Sequence, residues 1–116
     1  MPRLHRSPPR NPPAADCPLE DCLGILAGAW VPKILWFLRD GPRRFGDLKR
    51  DCRGISKRVL ANQLKKLEKQ GAIARAVISG RPTTVEYALT PAGRELQPVL
   101  DAMARVGVRL RAKELV

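Results

Sequence analysis

The sequence predicts a small domain that is mainly α-helical and carries one β-hairpin. Within residues 56–71, leucines recur at the three- and four-residue spacing of a single helix face, at Leu60, Leu64 and Leu67. A shorter helical segment, residues 45–51, precedes this stretch and is joined to it by a tight connection that contains Gly54. After Gly71 the apolar residues alternate with a period of two, which is typical of strands.

Residues 1–16 are predicted to be a disordered basic tail. Prolines alternate there with arginines, so no apolar core can form from this stretch, which holds Pro2, Pro8, Pro9, Pro12 and Pro13 beside Arg3, Arg6 and Arg10. The tail either adds weak contacts to a phosphate backbone or is an inert extension. Residues 17–113 are predicted to form one folded domain, since 116 residues leave room for a single modest core.

The folded part begins with two short helices. Pro18 suits the first position of a helix, which places Cys17 at its N-cap. A second helix is expected over residues 31–39, and Gly41 with Pro42 ends it.

The next two helices form a helix-turn-helix motif. Helices over residues 45–51 and 56–71 are joined by a short turn that includes a glycine, as is typical of the motif. Gly54 is available for a positive φ in this turn. Ser56 can cap the second helix, and Gly71 can end it in a left-handed C-cap.

The alternating residues after this motif predict a wing. Two alternating stretches around residues 73–77 and 85–89 enclose a tip at residues 79–83 that contains glycine and proline, which indicates a β-hairpin. Thr90 as a cap and Pro91 at the first position then open one last helix. The predicted architecture is therefore a winged helix-turn-helix.

The charge of the chain indicates a polyanionic partner. The formal net charge is +11 and the sequence pI is near 10.6. Nine Lys and Arg residues stand against two Asp residues between Arg43 and Lys66, around the predicted motif. Nucleic acid explains this concentration better than a general need for solubility. A membrane surface explains the concentration of charge less well than nucleic acid, since no basic helix has an obvious lipid-facing side.

The helix over residues 56–71 has the side-chain distribution of a DNA recognition helix. Away from the leucine stripe, toward its N-terminal end, it carries Lys57, Arg58, Ala61, Asn62 and Lys65. In a major groove such cations meet phosphates, and the N-terminal side chains reach base edges. Taken alone, the same pattern also describes an ordinary amphipathic surface helix.

Short motifs also follow one another in a recognisable order from Cys17 to about Gly107. They are Cys17-Pro18-Leu19-Glu20, Ala29-Trp30 with Lys33-Ile34-Leu35, residues 42–48, Gly54-Ile55-Ser56, Leu60 with Gln63-Leu64 and Leu67-Glu68, and Val85-Glu86-Tyr87 with Leu89-Thr90 and Gly93. In order and spacing they resemble the HxlR-type family of bacterial winged helix-turn-helix regulators. The resemblance implies a homodimer that binds operator DNA and represses or activates a neighbouring gene. Ala29, Pro32 and Ala61 depart from the family's usual residues, so base preference is not carried over from relatives.

The DNA-contacting residues are predicted from the recognition helix, the wing and the flanking elements. Ser56, Arg58 and Asn62 are expected to face base edges, because arginine pairs bidentately with guanine and asparagine with adenine. Contacts to the DNA backbone are expected from a larger set of cations, namely Lys33, Arg43, Arg44, Lys57, Lys65 and Arg81. Double-stranded DNA is therefore the predicted partner.

The last helix is expected to pair two copies of the chain. Its apolar residues follow at alternating four- and three-residue steps, the spacing of a coiled seam. The predicted interface joins this seam to the first helix of the other subunit, through Leu23, Leu26, Leu96, Leu100, Met103 and Leu110. A two-fold dimer would present its recognition helices about 34–36 Å apart to a near-palindromic site. The alternative is that the last helix folds back on its own chain.

Cys17 is the candidate sensor. At a helix N-cap its sulfur lies beside unpaired backbone N–H groups and the positive end of the helix dipole, which favour the reactive thiolate. Several members of the resembled family sense oxidants or electrophiles through a cysteine near this point, so the resemblance implies such an effector. The alternative is a chemically idle capping residue, with Cys22 and Cys52 as ordinary thiols.

Enzyme, metal and cofactor chemistry are not predicted. The single histidine, His5, lies in the tail, so no Ser-His-Asp site is expected, and no glycine-rich phosphate loop follows a strand. The spacing of the three cysteines is not that of a closed zinc site. Their odd number also argues against a disulfide framework.

The sequence predicts a cytoplasmic protein without a membrane span. The basic start is followed by prolines rather than the apolar run of a signal peptide, and the apolar stretch 23–38 is short and contains Pro32 and Lys33. The runner-up function is a basic partner-binding module associated with RNA or another macromolecule. The few aromatic residues lie on apolar faces, which argues against stacking on single strands.

Overall fold

The computed structural model describes residues 17–115, which form six helices and three strands. The helices are α1 (Pro18–Leu26), α2 (Val31–Phe37), α3 (Phe45–Asp51), α4 (Lys57–Lys69), α5 (Pro91–Glu95) and α6 (Gln97–Arg111). The strands are β1 (Arg43–Arg44), β2 (Ile73–Ile78) and β3 (Thr84–Leu89). This arrangement confirms the predicted winged helix-turn-helix. The predicted tail, residues 1–16, lies outside the described residues.

The sheet is antiparallel, with the strand order β1–β3–β2, and it forms the wing. β2 and β3 are the predicted hairpin and pair along their whole length. The structure adds β1, in which Arg43 lies opposite Tyr87 and Arg44 opposite Glu86. A two-residue strand has no periodic signal in the sequence. It forms because β3 offers a free edge for pairing.

The hydrophobic core is assembled mainly from α2, α3, α4 and the base of the sheet. Its nearly fully buried apolar side chains are Val31, Ile34, Leu35, Leu38, Leu48, Cys52, Ile55, Leu60, Leu64, Leu67, Ala72, Ile73, Leu89, Leu96 and Leu100. α1 contributes no fully buried side chain and packs against this core through Cys22, Ile25 and Leu26. The first helix is therefore the least anchored of the described helices.

α2 ends two residues earlier than predicted. Its C-cap is Leu38, and the Arg39 N–H donates to the Trp36 carbonyl at 3.1 Å instead of continuing the α-helical pattern. The chain tightens there into a turn that satisfies the last carbonyls of the helix.

The last helical segment is two helices rather than one, which corrects the prediction. α5 begins with the predicted cap, since Thr90 Oγ1 accepts a hydrogen bond from Gly93 N at 3.1 Å. The helix breaks at Leu96, because Pro98 has no N–H for the carbonyl four residues earlier and its ring crowds that carbonyl. Leu96 and Leu100 are 6% and 3% exposed. They belong to the core of this chain and not to a seam open to a second subunit.

The first turns of α6 fold back on α2. Arg39 Nη2 donates to Asp101 Oδ1 at 2.8 Å, and the Arg39 guanidinium lies 4.0 Å from the centroid of the Trp36 ring. Gln97 Nε2 donates to the Leu35 carbonyl at 3.3 Å. Polar contacts therefore join the apolar ones in fixing the start of α6 within the monomer.

α4, the sheet and α5 meet at a junction around Ala72. α4 ends in a Schellman motif, in which the Ala72 N–H donates to the Leu67 carbonyl and the Gly71 N–H to the Glu68 carbonyl, both at 3.0 Å. Gly71 has the predicted positive φ, 81°. The Ala72 carbonyl accepts from the Thr90 N–H at 3.1 Å, and the Thr90 hydroxyl donates to the Gly71 carbonyl at 2.5 Å.

Gly93 allows α5 to approach this junction closely. A Cβ at position 93 would lie 2.1 Å from the Ala72 carbonyl oxygen and 3.1 Å from Leu89 Cδ2. The carbonyl belongs to the backbone and is already hydrogen-bonded to Thr90, so it cannot move aside cheaply.

Gly93→Ala is therefore expected to destabilise the fold by about 1–3 kcal/mol, the usual cost of forcing atoms into a filled site. Urea denaturation followed by circular dichroism measures this loss. Gly24→Ala is the matched control, because a Cβ there meets no atom within 4 Å and alanine is favoured over glycine inside a helix. A Gly93→Ala protein as stable as the wild type would contradict close packing at the junction.

Candidate nucleic-acid interface

The turn between α3 and α4 is anchored in the core. Cys52 and Ile55 in this turn are 1% and 3% exposed. The Ile55 N–H donates to the Cys52 carbonyl at 3.1 Å, and Gly54 lies between them at the predicted positive φ, 91°. Because two side chains of the turn are buried, α4 is held in a fixed position relative to α3.

α4 begins at the predicted cap and buries the predicted stripe. Ser56 Oγ accepts a hydrogen bond from the Val59 N–H at 3.1 Å, which satisfies one of the free donors at the helix start. Leu60, Leu64 and Leu67 are at most 1% exposed. The opposite face of α4 consequently lies on the protein surface.

The predicted base-reading residues lie together on the exposed side of α4. Ser56, Arg58 and Asn62 are exposed, and so are Lys57 and Lys65. The residues that the structure describes provide no salt-bridge partner for these three cations. The face therefore presents guanidinium, ammonium and amide groups whose hydrogen bonds are available to a ligand.

The two carboxylates near the helix-turn-helix motif, those of Asp47 and Asp51, both form ion pairs within the chain. Asp51 Oδ2 accepts from Arg43 Nη2 at 2.6 Å and from Arg43 Nε at 3.1 Å, and Asp47 Oδ1 accepts from Arg50 Nη2 at 2.5 Å. These two pairs use both acids among the residues from Arg43 to Lys66. Within the described part of the chain, seven cations of that stretch remain without a carboxylate partner, and they are Arg44, Lys49, Arg53, Lys57, Arg58, Lys65 and Lys66.

Arg43 requires a correction among the predicted backbone contacts. Its guanidinium is bonded to Asp51, so its charge is neutralised within the chain. Arg44 is exposed, and Lys33 is exposed with its Nζ 5.0 Å from the centroid of the Trp30 ring. Arg53 is a further exposed cation, in the turn before α4, that was not among the predicted contacts. Its position in the sequence, three residues before the cap of the recognition helix, is the feature that could have indicated a contact with the DNA backbone.

Arg81 lies at the tip of the wing, as predicted. All residues from 79 to 83 are exposed, and Thr83 Oγ1 donates to the Gly80 carbonyl across the tip at 3.4 Å. β2 starts directly after the Schellman motif of α4, and its first residue, Ile73, is 2% exposed. The wing is thus fixed to α4 at its base while its tip projects into solvent.

The three cysteines lie in different environments. Cys17 is the N-cap of α1, as predicted, and it is half-buried with no capping hydrogen bond from its side chain. Cys52 is buried, and this burial raises the pKa of its thiol, with Asp51 adding to the shift and Lys33 opposing it. The Cys52 thiol therefore stays protonated near neutral pH, whereas solvent reaches Cys17.

An apolar groove runs along the outer side of α6. It has a volume of about 440 Å³ and is lined by Val99, Ala102, Met103, Val106, Gly107 and Leu110. A second groove of about 270 Å³ shares Met103 and reaches α2 at Trp36 and Phe37. On α1, Leu19 and Leu23 are 66% and 60% exposed. Of the predicted interface residues, Leu23, Met103 and Leu110 are therefore exposed, and Leu26 is half-buried against its own core.

Residues 17–115 contain neither a membrane-spanning helix nor a cluster of metal ligands. No helix there is both long and apolar enough to cross a bilayer. No group of three or more His, Cys, Asp and Glu side chains in that range is arranged to hold a metal ion.

The fold, with its exposed polar recognition helix and its wing, defines a winged helix-turn-helix transcriptional regulator, which is not an enzyme. A family model described as HxlR-like helix-turn-helix matches residues 25–114. The chain belongs to this HxlR-like family, which confirms the resemblance seen in the sequence.

Individual relatives agree with this assignment. YdeP of Bacillus subtilis, an uncharacterized HTH-type transcriptional regulator, is 42% identical over 95 residues, which cover 82% of this chain and 74% of YdeP. A candidate MarR-family transcriptional regulator of Porphyromonas gingivalis has a crystal structure that superposes with a TM-score of 0.80 at 34% identity, covering 85% of this chain and 97% of that one. The redox regulator HypR in its reduced form superposes with a TM-score of 0.77 at 36% identity, covering 82% and 94%. HypR is also known in an oxidized form.

Proposed function

We propose that this regulator binds double-stranded operator DNA as a homodimer, with the N-terminal half of α4 in the major groove. One observation carries the proposal. Seven cations around the motif have no carboxylate partner in the described residues, and four of them belong to α4 itself. Solubility alone favours interleaved charges of both signs. DNA phosphates supply the missing anions.

The side chains divide into base contacts and backbone contacts. Arg58 and Asn62 read base edges, since both can bond bidentately in the major groove, and Ser56 lies beside them at the helix start. Phosphate contacts come from cations that have no carboxylate partner among the described residues, namely Lys33, Arg44, Lys57, Lys65 and, at the wing tip, Arg81. Arg43 is left out, because Asp51 neutralises it. Residues 17–113 constitute the domain that binds DNA and dimerises.

Arg58→Ala is expected to weaken binding to the operator by about 1–3 kcal/mol while leaving affinity for unrelated duplexes nearly unchanged. The operator is first selected by the full chain from random-sequence duplexes, and affinities are then measured by fluorescence anisotropy at fixed salt. Lys69→Ala, at the other end of the same helix, is the control and should lose little on either duplex.

Two results would count against this assignment. Equal losses for Arg58→Ala on both duplexes would make Arg58 a phosphate contact, since phosphate contacts carry no sequence information. Structured RNA that displaces the selected duplex at physiological salt would favour the alternative function, a basic module for RNA.

The proposed dimer uses the α6 groove. The groove is apolar and lies on the surface of the monomer, and Leu19 with Leu23 on α1 form a second exposed apolar strip at a four-residue spacing. A second copy related by a two-fold axis covers both surfaces at once, because such an interface repeats each contact. The two recognition helices would then lie about 34–36 Å apart on a near-palindromic site.

Met103→Glu is expected to convert the dimer to a monomer, because it places a charge in the middle of the α6 groove. Val108→Glu is the matched control: Val108 is on the same helix and 68% exposed but does not line the groove, so this variant should remain dimeric. Light scattering at micromolar concentration measures both. A wild-type protein that is monomeric under these conditions, or a Met103→Glu protein that stays dimeric, would contradict the proposed interface.

A response to oxidants or electrophiles through Cys17 is a second proposal. The side chain of Cys17 is reached by solvent and makes no capping bond, and the similar protein HypR is a redox regulator. α1 is joined to the recognition helix by a hydrogen bond of 2.8 Å from Gln70 Nε2 to the Gly24 carbonyl. A shift of α1 caused by modification of Cys17 can therefore be transmitted to α4 through this hydrogen bond, because no side chain of α1 is fully buried.

Cys17→Ser is expected to bind the operator as wild type does in reducing buffer and to lose any change of affinity on treatment with diamide or a quinone. Cys22→Ser is the control and should keep the wild-type response. Mass spectrometry of the treated wild type identifies the modified thiols, among which Cys52 should be absent because it is buried. Unchanged operator binding by protein that is fully modified at Cys17 would show that Cys17 is not the switch.

A further inference from the structure

We infer that Ala61 contacts the methyl group of a thymine in the operator and so determines specificity at that base pair. The inference rests on the proposed function, in which the N-terminal half of α4 lies in the major groove. Nothing in the pattern of charges requires it, since Ala61 carries neither a charge nor a hydrogen-bonding side chain.

Ala61 lies on the exposed side of α4, among its cations. It follows Arg58 by three residues and precedes Lys65 by four, the two spacings that bring side chains together on a helix surface. It is exposed, so its methyl group has no place in the core. An apolar side chain is thus surrounded by cations and the amide of Asn62 on the surface that is proposed to face base edges.

The length of the side chain decides what can lie opposite it. Arg58 and Lys65 extend well beyond the helix backbone, whereas alanine ends at Cβ. A base edge opposite Ala61 consequently meets a shallow apolar recess between two long polar side chains. The 5-methyl group of thymine is the apolar group that the major groove presents, while the other groups on the base edges there donate or accept hydrogen bonds. A donor or acceptor in this recess would lose water without gaining a partner.

Val59 is the other partly exposed apolar side chain near the start of α4, at 36% exposure. Its neighbours three or four residues away within α4 and its cap are uncharged, namely Ser56, Asn62 and Gln63. Ala61 differs because three of its neighbours at these spacings are cations, namely Lys57, Arg58 and Lys65.

Replacement of thymine by 2′-deoxyuridine tests the inference, because it removes the 5-methyl group and keeps the base pairing. Each thymine of the selected operator is replaced singly, and affinity is measured with the full chain. We expect one position in each half-site at which wild-type binding weakens about fourfold, the factor for burying one methyl-sized apolar group. Ala61→Gly should bind the thymine and deoxyuridine duplexes equally at that position.

Controls separate a lost contact from a weakened helix. Ala61→Ser keeps a side chain of similar size but adds a hydroxyl, and it should also lose the preference for thymine. Ala92→Gly removes an exposed methyl group from α5 and should keep the fourfold preference. Thermal unfolding establishes that each variant is folded.

The outcomes distinguish this inference from the proposed function. An operator in which no thymine methyl affects binding overturns the role of Ala61 and leaves DNA recognition by α4 intact. A methyl effect that persists in both Ala61→Gly and Ala61→Ser overturns it as well. Failure of the full chain to select any duplex overturns the proposed function itself.

Discussion

The close approach of Gly93 to the carbonyl of Ala72 is the contact on which the geometry of the winged helix depends. Thr90 completes it: its hydroxyl accepts from the Gly93 N–H and donates to the Gly71 carbonyl, while its own N–H donates to the Ala72 carbonyl. The end of the recognition helix, the base of both long wing strands and the start of α5 are thereby joined within a few ångströms. A side chain of any size at position 93 would separate them.

This junction fixes one end of α4, and the turn before α4 fixes the other. At the N-terminal end, the buried side chains of Cys52 and Ile55 and the cap of Ser56 set the starting point of the helix. The leucine stripe between the two ends prevents rotation about the helix axis, because any rotation would expose buried apolar surface. The side chains on the outward face of α4 are therefore not needed to hold the helix in place, and they are available for contacts with a ligand.

Elements with local determinants could be predicted from the sequence, and elements with distant determinants could not. The caps at Ser56 and Thr90 depend on residues within one helical turn, and the structure confirms both. β1 depends on the free edge of a strand about forty residues later, so its two residues gave no signal. The prediction of one unbroken last helix was wrong, because the apolar spacing continues across Leu96 while Pro98 interrupts the helical hydrogen bonds there. Arg43 was expected to be available, but its availability depends on where the fold places Asp51.

The start of α4 carries two adjacent cations at the helix end where α1 and α3 carry acidic residues. The helix dipole favours acidic residues in the first turn. α1 has Glu20 and Asp21 there, and α3 has Asp47, whereas the first turn of α4 has no acid and carries Lys57 and Arg58. These cations are unfavourable beside the positive end of the dipole, and they also repel one another. Departures of this kind are expected at functional sites. A DNA phosphate at this end would offset both effects, since it pairs with the cations and accepts hydrogen bonds from the free N–H groups. This is a physical reason to place the DNA at the N-terminal end of α4.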